Sequence, residues 1–374
     1  MLIKNAKLSN GSLLDLLIKD GKINKISDKI NIIESNILDL KGEYFISPGW
    51  IDGHAHAFNM FEFIGDEIDE LGIKSGVTTL IDAGTVGANN IRDFRNANIK
   101  ATSDVFSLLN ISKIGIIKQD ELSNLDDLDH ELFINTYNEY KDIICGIKAR
   151  MSGSCVGKNG IKPLIIAKEI QKDTKLPLMV HIGNPEPDLD DILKLLGKND
   201  VLTHCLHEKQ SNIFYNSKNT FNLLNKALKK GLILDIGHGT SSFSYNMYEK
   251  SKEANLDIDI ISTDIYRNNR KNGPVFNFAI TISKFLNLGM SHEDIIKKIT
   301  INPASVYNLK DRGSIEEGLK ADLTIYKIVD DNIDLMDSEG NVIIGQRMFK
   351  PFYVIKDGNL IEIGEWWMYI INMT

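Results

Sequence analysis

Residues 177–205 read PLMVHIGNPEPDLDDILKLLGKNDVLTHC and contain one complete unit of alternating structure. The short apolar runs PLMVHIG (177–183) and VLTHC (201–205) are typical of buried parallel strands. Between them, LDDILKLLG (189–197) has a helical pattern and ends at glycine, a usual helix stop. A strand, a helix and a second strand in this order predict two parallel strands of one sheet.

The same alternation extends over most of the chain. Helical stretches separate eight short apolar runs, which are FISPGWID (45–52), VTTLIDAG (77–84), VFSLLNIS (105–112), ICGIKARM (144–151), PLMVHIG (177–183), VLTHC (201–205), LILDIGHG (232–239) and IISTDIY (260–266). Eight such units match the roughly 250 residues of a closed (β/α)8 barrel. We therefore predict an α/β fold in which residues 49–312 form a TIM barrel.

Both ends of the chain have a different pattern. LLDLLIKDGKINKIS (13–27) and PFYVIKDGNLIEI (351–363) alternate in hydrophobicity and contain Asp-Gly turns that are typical of β-hairpins. We predict that residues 1–48 and 313–374 together form a small β-sandwich domain. Trp366 and Trp367, near the end of the chain, are expected to pack internally or to form a subunit contact.

The composition narrows the functional classes. The 374 residues carry a net charge of −8, which argues against nucleic-acid binding, because such proteins present a basic surface. Three cysteines imply no disulfide framework, and the sequence has neither a signal-peptide pattern nor an apolar run of about 20 residues. We expect a cytoplasmic protein that acts on a small molecule and binds neither nucleic acid nor membrane.

Chemically active side chains follow the predicted strands. Most of the histidines, one lysine and one aspartate lie at or near the carboxyl ends of the apolar runs, and these residues are His54, His56, Lys148, His181, His204, His238 and Asp264. In a (β/α)8 barrel these strand ends converge on the face that holds the active site.

The pair His54 and His56 is the first sign of a metal site. Side chains two residues apart on an extended segment point the same way, so both imidazoles can bind one ion. An isolated pair is as readily a chance occurrence, but His181 and His204 on later strands favour the metal interpretation. His207 competes with His204 for this role, and we favour His204 because His207 lies beyond the strand.

Lys148 and Asp264 each have two interpretations. Burial lowers the pKa of a lysine, and its neutral amine can react with carbon dioxide to form a carbamate that bridges two metals; the alternative is an ammonium paired with an acid. Asp264 ends an apolar run as a metal ligand and proton shuttle, or alternatively as a helix N-cap. The histidines favour the metal interpretation of both residues.

Three further residues are candidates for substrate binding. We predict that His238 faces the pocket and polarises or holds the substrate, and that Arg150 grips a substrate carboxylate. A histidine bonded to its own loop and an arginine in a structural ion pair remain the alternatives. Ser152 belongs to the glycine-rich segment 151–157, which we interpret as a substrate loop, and Cys205 is interpreted as a packed thiol.

The stretch PGWIDGHAH (48–56), with the later lysine, histidines and aspartate, resembles the amidohydrolase superfamily. GIKARMSGS (146–154) and DIGHGTSSF (235–243) are similar to its amidohydrolase/deacetylase branch, whose members are described as dihydroorotase-like or D-aminoacylase-like. True dihydroorotases have a carboxylate-binding arginine where this chain has Phe58, which puts dihydroorotase activity in doubt. Adenosine-deaminase-like members lack the bridging lysine, so Lys148 argues against that branch.

The resemblance implies a binuclear metal centre, and nitrogen and oxygen ligands suit zinc first. With a carbon dioxide-derived carbamate on the lysine as the bridge, the ligands would be His54, His56, Lys148, His181, His204 and Asp264. The ions would activate a bridging hydroxide, and Asp264 would pass its proton to the leaving group.

The predicted function is hydrolysis of an amide or ester, by which an acyl group such as acetyl is removed from a small carboxylate-bearing molecule. A cyclic amide hydrolase, similar to dihydroorotase or hydantoinase, is the alternative. A non-catalytic scaffold of the same fold is disfavoured, because all six ligand candidates are present. A homo-oligomer is expected by analogy alone.

Overall fold

The computed structural model describes residues 1–61, 64–215 and 218–364. The predicted packing role of Trp366 and Trp367 therefore falls outside the described residues. No helix within the described ranges is both long and apolar enough to cross a bilayer.

Within the described residues the strands lie in three groups: five near the amino terminus, seven in the middle and three near the carboxyl terminus. In chain order they are β1 (Leu2–Lys7), β2 (Leu13–Lys19), β3 (Lys22–Ser27), β4 (Ile37–Asp39), β5 (Phe45–Pro48), β6 (Trp50–Ala55), β7 (Val77–Asp82), β8 (Asp104–Asn110), β9 (Ile144–Met151), β10 (Leu178–Ile182), β11 (Asp200–Thr203), β12 (Ile233–Asp235), β13 (Leu323–Met336), β14 (Val342–Lys356) and β15 (Asn359–Glu362).

The α-helices of the described part of the chain all lie between β6 and β13. They are α1 (Ile68–Leu71), α2 (Ile91–Asn98), α3 (His130–Glu139), α4 (Gly153–Val156), α5 (Lys162–Thr174), α6 (Leu189–Leu195), α7 (Asn219–Lys229), α8 (Tyr245–Glu253), α9 (Arg267–Asn272), α10 (Phe278–Asn287), α11 (His292–Lys298) and α12 (Ile301–Val306).

Strands β6 to β12 form a seven-stranded parallel sheet whose spatial order follows the chain. The sheet curls, and the segment 260–265 connects its two edges through parallel bridges from Ile260 to Asp235 of β12 and from Ile265 to Ala55 of β6. Apolar side chains from the strands pack against one another in a common cluster, for example Ile51, Met179 and Val201. All the carboxyl ends of these strands therefore open on one face.

Two predicted strands differ from the structure. The first run, 45–52, is divided between two strands in different sheets. Pro48 of β5 pairs with Leu323 of β13 in the terminal sheet, whereas Ile51 of β6 pairs with Thr79 of β7 in the parallel sheet. The eighth run, 260–266, is held by isolated bridges and forms no regular strand. The N–H groups of His238 and Gly239 donate to the carbonyl oxygens of Ser262 and Thr263, whereas the backbone N–H of Thr263 donates to the side chain of Asp52, at 3.1 Å from Oδ1.

The strands from both ends of the chain build one mixed sheet in the order β15-β14-β13-β5-β1-β2-β3, with β4 paired to β1. Its longest pairing is the antiparallel hairpin of β13 and β14. These eight terminal strands thus form one hydrogen-bonded sheet that branches at β1. The predicted sandwich of two separate sheets is not confirmed.

An ion cluster links the two sheets at the amino end of β8. Asp104 Oδ2 lies 2.6 Å from Arg312 Nη1, 3.1 Å from Lys320 Nζ and 3.2 Å from Lys356 Nζ. Burial disfavours the charge of Asp104, but Arg312 and the two lysines lower its pKa to about 2. Lys356 belongs to β14, so this carboxylate joins the parallel sheet to the terminal sheet.

Asp104→Asn should lower the free energy of unfolding by about 2 kcal/mol at pH 7, because it leaves buried cations without their shared partner. Since the folded pKa of about 2 lies below the ordinary value of 3.8, the carboxylate stabilises above about pH 4 and loses this effect as the pH falls toward 2. Urea unfolding at pH 7 and pH 3 measures both quantities. Asp142→Asn is the matched control, because its ion pair with Arg95 is exposed and should contribute less than about 1 kcal/mol. Equal losses in the two variants would contradict the assignment.

Candidate active site

A cavity of about 370 Å³ opens at the carboxyl ends of the parallel strands. Eight of the nine predicted site residues line it, namely His54, His56, Lys148, Arg150, Ser152, His181, His204 and Asp264. A larger cavity of about 490 Å³ lies beside α1 and α2, but no histidine lines it. The chemistry of the smaller cavity makes it the candidate active site.

The side chains of His54 and His56 converge on one carboxylate. His54 Nε2 lies 3.2 Å and His56 Nε2 lies 3.0 Å from the same atom, Oδ1 of Asp264. The histidine side chains are 1% and 4% exposed, while that of Asp264 is 17% exposed and opens on the cavity. Two imidazole nitrogens at the carboxyl end of β6 thus face a carboxylate oxygen of the segment 260–265.

Hydrogen bonds behind these two histidines fix which nitrogen faces the cavity. His54 Nδ1 lies 2.9 Å from Thr203 Oγ1, whose hydroxyl donates to Asp235. His56 Nδ1 lies 2.8 Å from Thr85 Oγ1, whose hydroxyl donates in turn to Asp82 at 2.7 Å. Because each hydroxyl proton is already donated to a carboxylate, the threonine oxygen accepts from the imidazole Nδ1–H. In the neutral imidazole this leaves the lone pair on Nε2, the atom that a metal ion would bind.

His204 is held in the same way. Its Nδ1 lies 2.7 Å from the carbonyl oxygen of Gly237, which only accepts, so Nε2 again carries the lone pair. The His204 ring centroid lies 5.0 Å from that of His54 and 4.5 Å from that of His181. Burial lowers the pKa of His181 and of His204 well below the ordinary value, so both imidazoles are neutral at pH 7.

Lys148 lies between these groups and is 1% exposed. Its Nζ is 3.2 Å from His54 Nε2 and 3.0 Å from Met179 Sδ, and it forms no salt bridge to any described carboxylate. Burial lowers the pKa of Lys148 to about 7. The backbone of Gly84, at φ +80°, passes so close that a Cβ there would lie 2.6 Å from the lysine Cβ. The acid-paired alternative for Lys148 is therefore wrong.

Asp264 owes its position to a strained backbone. Its φ of +50° is in the left-handed region, and the conformation is held by its N–H donating to the His54 carbonyl oxygen at 2.7 Å. A Cβ at residue 239, which is glycine, would lie 2.4 Å from Asp264 Oδ2. Helix α9 begins at Arg267 with Tyr266 as its N-cap, so the N-cap alternative for Asp264 is wrong.

The ligand atoms of His54, His204 and Asp264 all lie within 4.8 Å of one another, which is close enough to hold one metal ion. The donor set also fits, because neutral imidazole and carboxylate are ligands that zinc accepts.

The family model described as the amidohydrolase family matches residues 45–361. The chain belongs to the amidohydrolase family. It is accordingly a hydrolase that acts on C–N bonds.

The family match is supported by close relatives. A protein named deacetylase, from Enterococcus faecalis, is 40% identical over 97% of this chain and 99% of its own length. A structure described as an adenine deaminase is 40% identical with a TM-score of 0.94, and covers 96% of this chain and 99% of its own. A structure described as a dihydroorotase is 34% identical with a TM-score of 0.90, over 96% of this chain and 98% of its own. Relatives with different named activities thus share this amidohydrolase fold.

Phe58 and Arg150 are both engaged by other protein side chains. Phe58 is 1% exposed and packs edge-on against Phe61 and Phe94, away from the metal-ligand candidates. Arg150 lines the cavity, but its Nη1 donates to Glu121 Oε2 at 3.0 Å, so the ion-pair alternative describes it. Its charge is already compensated by this carboxylate.

Ser152 reaches the cavity wall, where its hydroxyl oxygen accepts the N–H of Asn184 at 3.1 Å. The predicted substrate loop thus begins at the cavity and continues into the short helix α4.

The structure does not bring His238 to the cavity. It is fully buried, with Nδ1 2.9 Å from the Gly239 carbonyl oxygen and Nε2 2.7 Å from Lys284 Nζ. Both ring nitrogens are thus occupied. Gly237 and Gly239 on either side have positive φ values, and residues 240–242 of the same loop line the cavity instead. The predicted contact between His238 and the substrate is therefore corrected to a bond within its own loop and to Lys284.

Sequence reasoning missed the groups behind the histidines. Asp82, Asp235, Thr85 and Thr203 are all fully buried. The available signal was their position, since each is a polar residue at the end of an apolar run, where burial is costly without a partner. Lys209, which also lines the cavity, follows β11 in a loop and carried no pattern of its own.

Proposed function

We propose that the protein is a metal-dependent deacylase with a binuclear site, which removes an acyl group such as acetyl from an amide or ester of a small carboxylate-bearing molecule. The observation that supports this most directly is the arrangement of three histidines with outward Nδ1 bonds and inward Nε2 atoms around a buried lysine. The name of the deacetylase from Enterococcus faecalis supports the choice of acyl transfer to water.

In this proposal His54, His56 and Asp264 would hold one divalent ion, most simply zinc, and His181 and His204 would hold the other. When bound, the ions would supply a water of lowered pKa and polarise the scissile carbonyl. Asp264 would take a proton from the attacking water at its carboxylate and return it to the leaving amine or alkoxide. The neighbouring imidazoles keep the pKa of Asp264 well below its ordinary range despite burial, so the carboxylate is ionised at neutral pH.

A carbamate on Lys148 is the proposed bridge between the two ions. Carbon dioxide reacts with the neutral amine, and a lysine pKa of about 7 leaves a large neutral fraction at neutral pH. The product is anionic and offers two oxygens where no described carboxylate otherwise pairs with the lysine.

The proposal for the fold goes further than the curled parallel sheet and the mixed terminal sheet described above. Residues 49–312 would act as a closed (β/α)8 barrel, with residues 260–265 as the eighth strand position. Residues 1–48 and 313–374 would be the small β-sandwich domain.

Hydrolysis of a cyclic amide is the second candidate, supported by the structure described as a dihydroorotase. The packing of Phe58 in the core disfavours it, because the carboxylate-binding arginine of true dihydroorotases has no counterpart there. A scaffold without metals is disfavoured by the complete ligand set around the cavity.

We expect the zinc-loaded protein, in bicarbonate, to hydrolyse at least one member of a panel of N-acyl-D- and L-amino acids and O-acetyl hydroxy acids. Removing the metal with a chelator should lower the rate at least about 100-fold, and zinc should restore it. Dihydroorotate and adenine are included in the panel. Turnover of either of these alone would overturn the deacylase proposal, and a rate that is indifferent to the chelator would overturn the metal dependence.

A further inference from the structure

Lys209 is a cation in the candidate active site without a partner. It follows β11 by a short loop, is half-buried, and lines the same cavity as the metal-ligand candidates. Among the described residues its Nζ forms no hydrogen bond and no salt bridge. A half-buried ammonium that faces a cavity and lacks an acceptor is suited to bind an anion that enters the cavity.

Arg150, which also lines the cavity, differs from Lys209 in this respect. Arg150 is 10% exposed at its side chain and is bound to the fully buried Glu121, with 3.0 Å between Nη1 and Oε2. Its positive charge is thus compensated within the protein. Among the described residues Lys209 has no such carboxylate partner. Burial and the repulsion of Arg150 lower the pKa of Lys209, against the attraction of Asp264 and Glu339.

The backbone around Lys209 is fixed by neighbouring side chains. Its N–H donates to His207 Nδ1 at 3.0 Å, and its carbonyl oxygen accepts from Asn212 Nδ2 at 2.8 Å. His207 is itself fully buried. This holds the base of the lysine in one place, which lowers the entropic cost of using its long side chain in binding. This hydrogen bond also gives a structural role to His207, the alternative to His204 as a metal-ligand candidate.

We propose that Lys209 is the specificity-determining residue of this site and binds the carboxylate of the substrate. This inference rests on the proposed function, since it names the group that recognises the substrate's anionic end. Arg150, fixed by Glu121, shapes the same side of the cavity and has a smaller effect on the charge preference.

The test compares an acid with its uncharged amide. Binding of N-acetylalanine and N-acetylalaninamide, as D and L forms, is measured by calorimetry on the metal-free protein. Kinetics on the zinc-loaded protein use the best substrate of the panel and its carboxamide. The variants are Lys209→Met, which removes the charge at similar length, Lys209→Arg, which keeps it, and Lys198→Met, an exposed lysine outside the cavity, as control.

Lys209→Met should weaken binding of the acid about 10- to 100-fold and raise its KM equally, the range for one partly buried charge-assisted contact. The amide should change by less than about two-fold. Lys209→Arg should restore most of the acid binding, and the control should match the parent protein. Equal losses for acid and amide, or a parent protein with no preference for the acid, would overturn the role of Lys209. A charge preference that depends on Lys209, in a protein that hydrolyses no acyl compound, would instead retain this inference and reject the proposed function.

Discussion

Lys148→Ala should lower kcat/KM at least about 10³-fold and reduce the bound metal from about two ions per chain to about one or none. The reason is the position of Lys148, buried beside His54 and without a described acid partner. If its amine becomes a carbamate, alanine removes the ligand shared by both ions, which no other side chain of the cavity replaces. Metal analysis of the purified variants and initial rates in zinc and bicarbonate measure the two effects.

Lys148→Arg is the matched control for this prediction. Arginine keeps a positive charge but stays protonated and forms no carbamate under these conditions, so it should be as inactive as alanine. If the charge of Lys148 alone were important, the arginine variant would retain activity and metal, and the carbamate would be rejected. A further readout is the parent protein depleted of carbon dioxide. Its reactivation at a constant concentration of dissolved carbon dioxide should quicken as the pH rises through about 7, because the neutral amine is the reacting form.

The positions of the functional groups along the sheet could be predicted from the sequence because they follow from periodicity. Apolar runs that end in histidine at 181 and 204 predict two neighbouring strands, and β10 and β11 pair in parallel there. In such a sheet the strand ends meet, so residues far apart in the chain share one cavity. The amidohydrolase family was evident for the same reason, since its motif residues are tied to strand ends.

Other features depend on contacts that periodicity does not contain. The backbone N–H of Thr263 donates to the side chain of Asp52 and not to the backbone of β6, and the eighth apolar run forms no regular strand. Glu121 lies 29 residues from Arg150 and turns a predicted substrate contact into an ion pair. The two positive-φ glycines beside His238 turn that ring toward Lys284. Each outcome was decided by a partner distant in sequence.

Asp264→Asn should lower kcat about 10²- to 10⁴-fold, the range for loss of a positioned general acid–base group, with a smaller effect on KM. The amide keeps the size of the side chain and one oxygen toward His54 and His56, but it no longer takes up a proton. Because the neighbouring imidazoles keep the pKa of Asp264 well below its ordinary value, the parent carboxylate is ionised throughout the neutral range. The loss should therefore be nearly constant between pH 6 and 9, which kcat profiles of both proteins would check.

Asp259→Asn is the control for Asp264→Asn. It removes a carboxylate next to the segment 260–265 without removing the proposed proton acceptor. Asp259 accepts the N–H of Leu234 at 2.8 Å, a bond that an asparagine oxygen also forms, and it does not line the cavity. Its activity should stay within about three-fold of the parent protein. Metal analysis of Asp264→Asn then distinguishes two causes of a low rate. If excess zinc restores the rate, Asp264 serves as a ligand alone. A low rate with full metal content supports the proton transfer, because the ions and their water would then be present and only the acceptor of the proton would be missing.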